Sequence, residues 1–258
     1  MAGKYKQSAL YEEYSSESLN EIFRERGKEV SAKLGEILFS QGDTGSSFFI
    51  IQKGTVELQF DGYTRRLLRA GNFFGEIGIL GDLPRTATAK CLTSCKLLEV
   101  SAEELLQTFE EHPEIKEMIV SKYGSRLMHS QTRSHPDMSA VSDSAYEEIV
   151  STLSPRTLKK DELLFEQGAA GDEIFLILQG KLSLVKDKKQ IQILNPGEIF
   201  GEIGTLRRIP RTASVIALEA TNLLFCHRDQ LKPLMNKFPS FENYLYGLAA
   251  ERLELNKK

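Results

Sequence analysis

The stretch FGEIGILGDLPRTATA (residues 74–89) recurs as FGEIGTLRRIPRTASV (residues 200–215), with ten of sixteen positions identical. Both copies keep one glutamate, Glu76 in the first and Glu202 in the second, 126 residues apart. The arginine nine residues after each glutamate, Arg85 or Arg211, repeats at the same offset. Repetition at one fixed offset indicates tandem copies of a single structural unit. The sequence therefore predicts two similar domains in one chain of 258 residues.

The sequence around both copies has the pattern of short β-strands. Apolar stretches such as SSFFII (46–51) and IFLILQ (174–179) are separated by glycine-containing turns. This pattern is typical of a small antiparallel roll, and helical spacing follows each copy. We therefore predict a mainly β fold with flanking helices (α+β), built from two tandem antiparallel β-rolls of the jelly-roll type.

The domain boundaries are predicted from the repeat and from composition. An N-terminal helical segment is expected at residues 1–30, the first roll domain at 31–134 and the second at 135–258. Residues 129–144 are polar and have few apolar side chains, so they are expected to join the two domains.

The overall charge and hydropathy limit the classes of function. The formal net charge is −3 and the sequence pI is about 5.9, so no nucleic-acid partner is expected. No apolar run approaches the roughly 20 residues of a membrane-spanning helix, and the start of the chain lacks the apolar core of a signal peptide. We therefore expect a cytoplasmic protein with no membrane partner.

Three cysteines, Cys91, Cys95 and Cys226, make an odd number that does not suit a disulfide framework. Cys91 and Cys95 have C-x-x-x-C spacing, but no second pair or histidine cluster completes a four-ligand metal site. The four histidines lie at or beyond the predicted ends of the rolls, so a cupin-type metalloenzyme is not expected. We predict buried or half-buried thiols, no metal and no catalytic residues.

The repeated segment, called the cassette below, has the residue types of a nucleotide site. Its glycines let the backbone approach a ligand closely, and a short helical turn there would point N–H groups at an anion. Its arginine suits the two free oxygens of a phosphodiester. Its glutamate would repel a phosphate placed against it. A carboxylate is nevertheless compatible with such a site if it accepts hydrogen bonds from ligand hydroxyls, as acids do with ribose. The alternative is a surface ion pair without a ligand, but retention of both groups in two diverging copies favours a site.

The motif F-G-E-I-G-x-L-x-x-x-P-R-T-A-[ST] resembles the phosphate-binding cassette of cyclic nucleotide-binding domains. The tandem arrangement is similar to that of the regulatory subunits of cyclic nucleotide-dependent (cAMP/cGMP) protein kinases, and the resemblance covers the chain from about residue 30 to its end. It implies that Glu76 and Glu202 bind the ribose 2′-OH and that Arg85 and Arg211 bind the cyclic phosphate. The implied ligand-binding residues are Gly75, Glu76, Ile77, Gly78, Arg85, Thr86, Ala87, Gly201, Glu202, Ile203, Gly204, Arg211, Thr212 and Ala213.

The same resemblance bears on recognition of the base. A threonine after the arginine, here Thr86 and Thr212, favours cGMP in cGMP-dependent kinases, whereas cAMP-dependent kinases usually have alanine there. This implies tolerance for cGMP and leaves the choice between cAMP and cGMP open. The helices after each roll are expected to place an aromatic lid over the base. Tyr244 and Tyr246 are candidates for the second site, and Tyr123 or a residue from the second repeat is the candidate for the first. The alternative role for each tyrosine is packing on an apolar helix face.

The resemblance implies a non-enzymatic sensor that binds two cyclic purine nucleotides per chain and no other cofactor. Binding is expected to rearrange the C-terminal helices and to act on an effector protein in trans, with a protein kinase catalytic subunit as one candidate. The inhibitor segment of kinase regulatory subunits is not found, and about 20 residues after Pro239 are too few for a helix-turn-helix domain. Two alternatives stay open: a ligand-independent scaffold or docking protein, and a sensor of another nucleotide or nucleoside.

The two cassettes differ in local charge. The second carries Arg207 and Arg208 where the first carries Gly81 and Asp82. Because the potential around the second cassette is then more positive, we expect tighter or faster ligand binding there.

Overall fold

The computed structural model describes residues 16–60, 63–81 and 83–255 of the chain. The chain divides into two compact units, Met1–Tyr123 and Gly124–Lys258. The first fifteen residues of the predicted N-terminal segment lie outside the described residues, and the remainder of that segment contains one described helix.

The first unit is built from two antiparallel sheets. Its described strands are β1 (Lys28–Ala32), β2 (Ile37–Phe39), β3 (Ser47–Lys53), β4 (Thr55–Phe60), β5 (Tyr63–Arg69), β6 (Phe73–Phe74), β7 (Thr88–Cys91) and β8 (Cys95–Ser101). They form sheets of order β1-β8-β3-β6 and β2-β7-β4-β5. Its described helices are α1 (Ser16–Phe23), α2 (Glu76–Leu80), α3 (Ala102–Glu111) and the first part of α4 (Pro113–Thr132).

The second unit has the same architecture. Its described strands are β9 (Ser154–Leu158), β10 (Leu163–Phe165), β11 (Glu173–Gln179), β12 (Leu182–Lys186), β13 (Lys189–Leu194), β14 (Ile199–Phe200), β15 (Ser214–Ala217) and β16 (Thr221–His227), in sheets of order β14-β11-β16-β9 and β10-β15-β12-β13. Its described helices, besides the end of α4, are α5 (Asp143–Ser151), α6 (Glu202–Arg207), α7 (Arg228–Lys237) and α8 (Pro239–Leu255). Among the described residues, no helix combines the length and apolar character needed to cross a membrane.

The strand register repeats at the offset that relates the two cassettes. Phe49 in β3 lies opposite Glu99 in β8, and Phe175 in β11 lies opposite Phe225 in β16. All of these strand pairs are antiparallel, and each unit adds helices to its two sheets. The predicted fold, mainly β with flanking helices in two tandem antiparallel rolls, is confirmed.

Aromatic pairs fill the interior of each roll beside the cassette. Phe49 and Phe74 stack with ring centroids 5.4 Å apart, and Phe175 and Phe200 stack at 5.0 Å. These rings belong to apolar clusters drawn from both sheets, since strands with alternating side chains bury one face each. The buried members of the second cluster are Leu158, Leu164, Phe175, Ile177, Leu182, Leu194, Phe200, Val215, Ala217 and Leu223. The core therefore anchors the strand that leads into each cassette.

The polar segment at residues 129–144, which is expected to join the two domains, is folded into helix ends and turns. The end of α4, a series of turns and the start of α5 occupy it. Residues from Gly124 onwards belong to the second unit, where the His129 ring lies 5.0 Å from the ring of Tyr146. The units therefore divide after Tyr123, inside α4, and the domain boundary after residue 134 stays a prediction.

All three cysteines are free and buried, as the sequence predicts. Cys91 and Cys95 lie in the core of the first roll, whereas Cys226 lies in the second unit. Burial raises the pKa of Cys91 and the pKa of Cys226, each to about 12. The thiols of Cys91 and Cys226 are therefore protonated at physiological pH in the folded chain.

Candidate functional site

Each cassette begins with a glycine in the left-handed backbone region. Gly75 and Gly201 have φ of 91° and 82° and precede α2 and α6. At Gly201 an added Cβ would lie 2.9 Å from the carbonyl oxygen of Glu173 and 3.0 Å from Nη1 of Arg211. The glycine therefore supplies both the backbone conformation and the space that the arginine occupies.

We expect Gly201→Ala to lower the free energy of unfolding by about 2–3 kcal/mol, because it adds this steric overlap to the cost of a left-handed alanine. Gly168→Ala is a matched control, since Gly168 has φ of 84° with no atom within 4 Å of an added Cβ. It should cost only about 1–2 kcal/mol. Denaturant titration of both variants measures the difference, and equal losses would contradict the steric role of Gly201.

Arg85 is a buried and hydrogen-bonded side chain of the first cassette. Its side chain is buried, with Nη1 donating to the carbonyl of Gly75 at 2.7 Å and Nη2 to the carbonyl of Ser47 at 2.7 Å. The guanidinium lies 4.2 Å from the ring centroid of Phe39. Its Nε is buried and has no hydrogen-bond partner among the described residues. The arginine is thus fixed by neutral groups and keeps a donor for a ligand.

The charge environment of Arg85 is set by burial and by nearby acids. Burial lowers the pKa of Arg85, and the carboxylates of Glu76, Asp43 and Glu99 act in the opposite direction. Arginine stays protonated in proteins. Glu76 is 1% exposed at the first turn of α2. The first cassette therefore buries a cation and an acid that are nine residues apart in the sequence.

Arg211 has an equivalent position in the second cassette. Its Nη1 donates to the carbonyls of Glu173 at 3.0 Å and Gly201 at 2.9 Å, and its guanidinium lies 4.2 Å from the ring centroid of Phe165. Its Nε is buried without a hydrogen-bond partner among the described residues. One contact differs from those of Arg85. Nη2 of Arg211 lies 3.8 Å from a carboxylate oxygen of Glu173, whereas Nη2 of Arg85 bonds to a backbone carbonyl.

Glu202 is held by an arginine from the C-terminal helix. The Glu202 side chain is 2% exposed, and its Oε1 accepts a hydrogen bond from Nη1 of Arg252 at 3.2 Å. Arg252, in α8, also donates to the carbonyl of Ile199 at 2.6 Å and lies 3.4 Å from Glu198. Burial raises the pKa of Glu202, whereas the charges of Arg252 and Arg211 lower it.

Arg252 is a site residue that the sequence analysis missed. A signal was present, because Arg126 in α4 lies at the repeat offset from Arg252 and each is followed by leucine. Arg252 lies 37 residues beyond the end of the second cassette, which is outside any local sequence pattern. Only the folded chain brings α8 to the glutamate.

A pocket that is partly open to solvent lies beside the second cassette. Its lining contains all seven residues predicted for the second site: Gly201, Glu202, Ile203, Gly204, Arg211, Thr212 and Ala213. The other lining residues are Phe165, Leu184, Gln192, Leu194, Phe200 and Arg252. The predicted polar groups therefore face one cavity whose remaining walls are largely apolar, which is the usual composition of a ligand pocket.

The seven predicted residues of the first site are also close together in the chain fold. Glu76, Ile77 and Gly78 lie in α2, whereas Thr86 and Ala87 follow the arginine and lead into β7. Ala87 is buried and Thr86 is half-buried. Asp82, part of the charge difference between the cassettes, lies outside the described residues.

The three predicted lid tyrosines differ in environment. Tyr123 is buried, and its hydroxyl lies 2.5 Å from the position that a Cβ on Gly81 would take, so it packs against the end of α2. Tyr244 is half-buried and its ring contacts His135 at 4.9 Å. Tyr246 is 39% exposed, with the Arg207 guanidinium 5.9 Å from its ring centroid.

Neither Tyr244 nor Tyr246 belongs to the lining of the described pocket. A role in covering a base would therefore require a change in how α8 packs at the cassette. Burial raises the pKa of Tyr123 and the pKa of Tyr244. The lid role of all three tyrosines stays a prediction.

Comparison with known proteins bears on the whole chain. The family model described as the cyclic nucleotide-binding domain matches residues 29–112 and 155–238. The chain belongs to the cyclic nucleotide-binding domain family. Each matched range contains one cassette, so the repeat corresponds to two domains of this family. These are ligand-binding domains and not catalytic ones.

A curated relative, the cAMP-dependent protein kinase regulatory subunit of Debaryomyces hansenii, is 27% identical over 212 residues, covering 81% of this chain and 45% of the relative. This cyclic nucleotide-binding chain therefore spans less than half the length of that relative.

Similar solved structures include a cAMP-bound PfPKA-R, at 20% identity with a TM-score of 0.45, covering 100% of this chain and 90% of that one. The regulatory domain of Toxoplasma gondii PKA with cAMP is 19% identical, with coverages of 97% and 99% and a TM-score of 0.45. The regulatory subunit of a cAMP-independent protein kinase A from Trypanosoma cruzi, bound to guanosine, is 17% identical, with coverages of 87% and 84% and a TM-score of 0.37.

Proposed function

We propose that this chain is a sensor that binds one cyclic purine nucleotide, cAMP or cGMP, at each cassette and acts on an effector protein in trans. The observation that carries the proposal is the buried arginine beside a buried glutamate in both cassettes. Burial of charged groups is costly unless they are paired or serve a site. Two copies of this arrangement on family-matched domains favour two ligand sites.

The groups fit the parts of a cyclic nucleotide. The guanidinium of Arg85 or Arg211 would bind the charged phosphodiester, because its Nε is a buried donor with no partner in the described chain. The carboxylate of Glu76 or Glu202 would accept a hydrogen bond from the ribose 2′-OH. The apolar walls of the second pocket would pack against the purine.

The contact between Glu202 and Arg252 connects the second site to the C-terminal helix. Arg252 belongs to α8, and it contacts Glu202 at 3.2 Å and Glu198 at 3.4 Å. A ligand hydroxyl on Glu202 would share that carboxylate with Arg252, so binding would change the energy of the α8 contact. This supports a mechanism in which ligand shifts the population of α8 packing states.

The base preference depends on the hydroxyl after each arginine. We expect Thr212→Ala to shift selectivity at the second site from cGMP toward cAMP by roughly tenfold, the value of about one hydrogen bond. Thr86→Ala should do the same at the first site. Competition binding with the two nucleotides measures the shift, and Thr212→Ser is the control that keeps the hydroxyl. Unchanged selectivity in Thr212→Ala would remove the threonine from base recognition.

A protein kinase catalytic subunit is the effector we favour, because the curated relative is a kinase regulatory subunit. Two other functions would compete with sensing of cyclic nucleotides. A ligand-independent scaffold would have no use for the buried donors of Arg85 and Arg211. A nucleoside sensor would leave both arginines without a phosphate.

Calorimetric titration of the nucleotide-free full chain with cAMP, cGMP and guanosine tests the proposal. The expected result is saturable binding of two cyclic nucleotides per chain, with guanosine weaker. Absence of heat and of any change in melting temperature with either cyclic nucleotide would overturn the proposal. Tight binding of guanosine with no cyclic nucleotide binding would identify a nucleoside sensor instead.

A further inference from the structure

Three charged or titratable residues lie beside Arg211 where the first repeat has serines. At the repeat offset of 126, Asp172, Glu173 and His227 correspond to Ser46, Ser47 and Ser101. We call Asp172, Glu173 and His227 the acidic relay. Neither the family motif nor the cassette comparison includes these positions.

The acidic relay forms a chain of contacts that ends at the phosphate-binding arginine. Nδ1 of His227 lies 3.3 Å from Oδ1 of Asp172, and its Nε2 lies 3.9 Å from Oε1 of Glu173. The other carboxylate oxygen of Glu173 lies 3.8 Å from Nη2 of Arg211. The Arg211 side chain is 2% exposed and that of Glu173 is 24% exposed, so solvent screens this pair only in part.

The first cassette holds its arginine without such a carboxylate. Nη2 of Arg85 bonds to the backbone carbonyl of Ser47, whose hydroxyl instead donates to Glu99 at 2.9 Å. Ser101 uses its hydroxyl as the N-cap of α3, accepting from the amide of Glu104. Within the described part of the chain, no acid lies within ion-pair distance of Arg85. The two repeats therefore present the same guanidinium with different partners.

We propose that Glu173 is a positioning residue that competes with the ligand phosphate for Arg211, and that protonation of His227 relieves this competition, so that the second site binds cyclic nucleotide more tightly as pH falls. The proposal rests on the proposed function, since it concerns the phosphate of that ligand. The first site, with serines at all three positions, lacks this dependence.

The direction follows from the charges around His227. Imidazole is the side chain whose ordinary titration lies between pH 5 and 8. When it is protonated, His227 attracts Glu173 and Asp172 and also adds a positive charge near the phosphate. Both effects strengthen anion binding at low pH, and both disappear as the ring loses its proton.

Other groups around His227 do not reverse this direction. The Phe225 ring of β16 contacts the imidazole edge to face at 5.6 Å, and the backbone N–H of His227 donates to Gln230 in α7. Arg228 directs its Nε to the carbonyl of Thr205 at 2.7 Å. Asp229 is the remaining charged neighbour in the sequence. It adds negative charge and no further cation beside the ring.

Single-site variants of the full chain separate the two sites. Arg85→Ala removes phosphate binding at the first site, so that ligand binds at the second site only. Arg211→Ala leaves the first site as the one that binds ligand. The Kd for cAMP and for cGMP is measured from about pH 5.5 to pH 8. We expect the Kd of the second site to rise roughly fivefold over this range, the effect of a partly screened charge, while the first stays within about twofold.

Substitution by the corresponding serine tests each group in the Arg85→Ala background. His227→Ser should abolish the pH dependence. Glu173→Ser and Glu173→Gln should keep the Kd near its low-pH value throughout, and the glutamine controls for loss of packing. The double change Ser47→Glu with Ser101→His, in the Arg211→Ala background, should confer pH dependence on the first site.

The outcomes distinguish this proposal from the proposed function. Failure of the full chain to bind either cyclic nucleotide would overturn both. Two-site binding with the same pH profile at both sites would overturn only the proposal about Glu173 and His227. A pH dependence that persists in His227→Ser would do the same. A Glu173→Gln variant that weakens binding at every pH would show that Glu173 supports Arg211 and does not compete with the ligand.

Discussion

Arg252→Ala is expected to lower the free energy of unfolding of the second unit by about 3 kcal/mol at neutral pH, because it leaves the Glu202 carboxylate buried without its cation. The Glu202 side chain is 2% exposed and that of Arg252 15% exposed, with 3.2 Å between the charged atoms. Removing one partner of a buried ion pair lowers the free energy of unfolding by more than the intact pair contributes to it, because the remaining charge stays buried without a partner.

The loss should also depend on pH. Burial raises the pKa of Glu202, while Arg252 opposes that rise. The folded protein therefore keeps the proton at pH values where the unfolded chain has lost it, and stability falls as pH rises from the ordinary glutamate pKa toward the raised one. Removal of Arg252 raises that pKa further. The variant should thus lose less stability near pH 4.5 than near pH 7.5.

Urea unfolding of the wild type and variant at the two pH values measures this difference. Arg252→Lys keeps the charge and should recover part of the stability. Lys237→Ala is the surface control, because Lys237 pairs with Glu148 while 60% exposed and should cost less than about 1 kcal/mol. Equal losses from Arg252→Ala at both pH values would show that the arginine acts through packing alone.

Arg211→Ala is expected to weaken cyclic nucleotide binding at the second site by roughly a hundredfold or more. Two hydrogen bonds from a guanidinium to a phosphodiester are charge-assisted, and each contributes about 1.5–3 kcal/mol. Calorimetry should then report one ligand per chain in Arg211→Ala and in Arg85→Ala, and none in the double variant.

Controls are needed because Arg211 also holds the carbonyls of Glu173 and Gly201. Arg211→Lys keeps the charge but not the planar fork, so it should bind with intermediate affinity. Melting temperature without ligand reports any loss of fold. Two ligands per chain at wild-type affinity in Arg211→Ala would place the phosphate elsewhere.

The repeat made the fold and the cassette predictable from sequence. A fixed offset marks two equivalent domains, and alternation of apolar residues with glycine turns marks their strands. The Gly-Glu and Pro-Arg pairs are local in sequence, so the resemblance of this motif to the cassette of a known family gave seven of the residues that line the second pocket. Contacts set by tertiary packing could not be found this way.

Arg252 illustrates the limit, since fifty residues separate it from Glu202 and no local period connects them. The aromatic rings beneath the arginines are a second case. The sequence pattern gives Phe39 and Phe165 no feature beyond that of ordinary strand residues. In the fold, each ring centroid lies 4.2 Å from the guanidinium of Arg85 or Arg211, because β2 and β10 lie beside the cassettes. The polar segment at residues 129–144 is folded into helix ends and turns, which its composition did not indicate, and its role as the joint between the domains stays a prediction.

The buried cysteines provide each roll with its own chemical reporter. Cys91 and Cys95 belong to the first unit and Cys226 to the second, and none is accessible in the folded chain. An alkylating reagent can attack only a thiol that has become exposed and ionised. The rate at which iodoacetamide labels each cysteine, followed by peptide mass spectrometry, therefore measures how often its roll opens. Ligand-dependent protection could be assigned to one roll or the other without introducing a label.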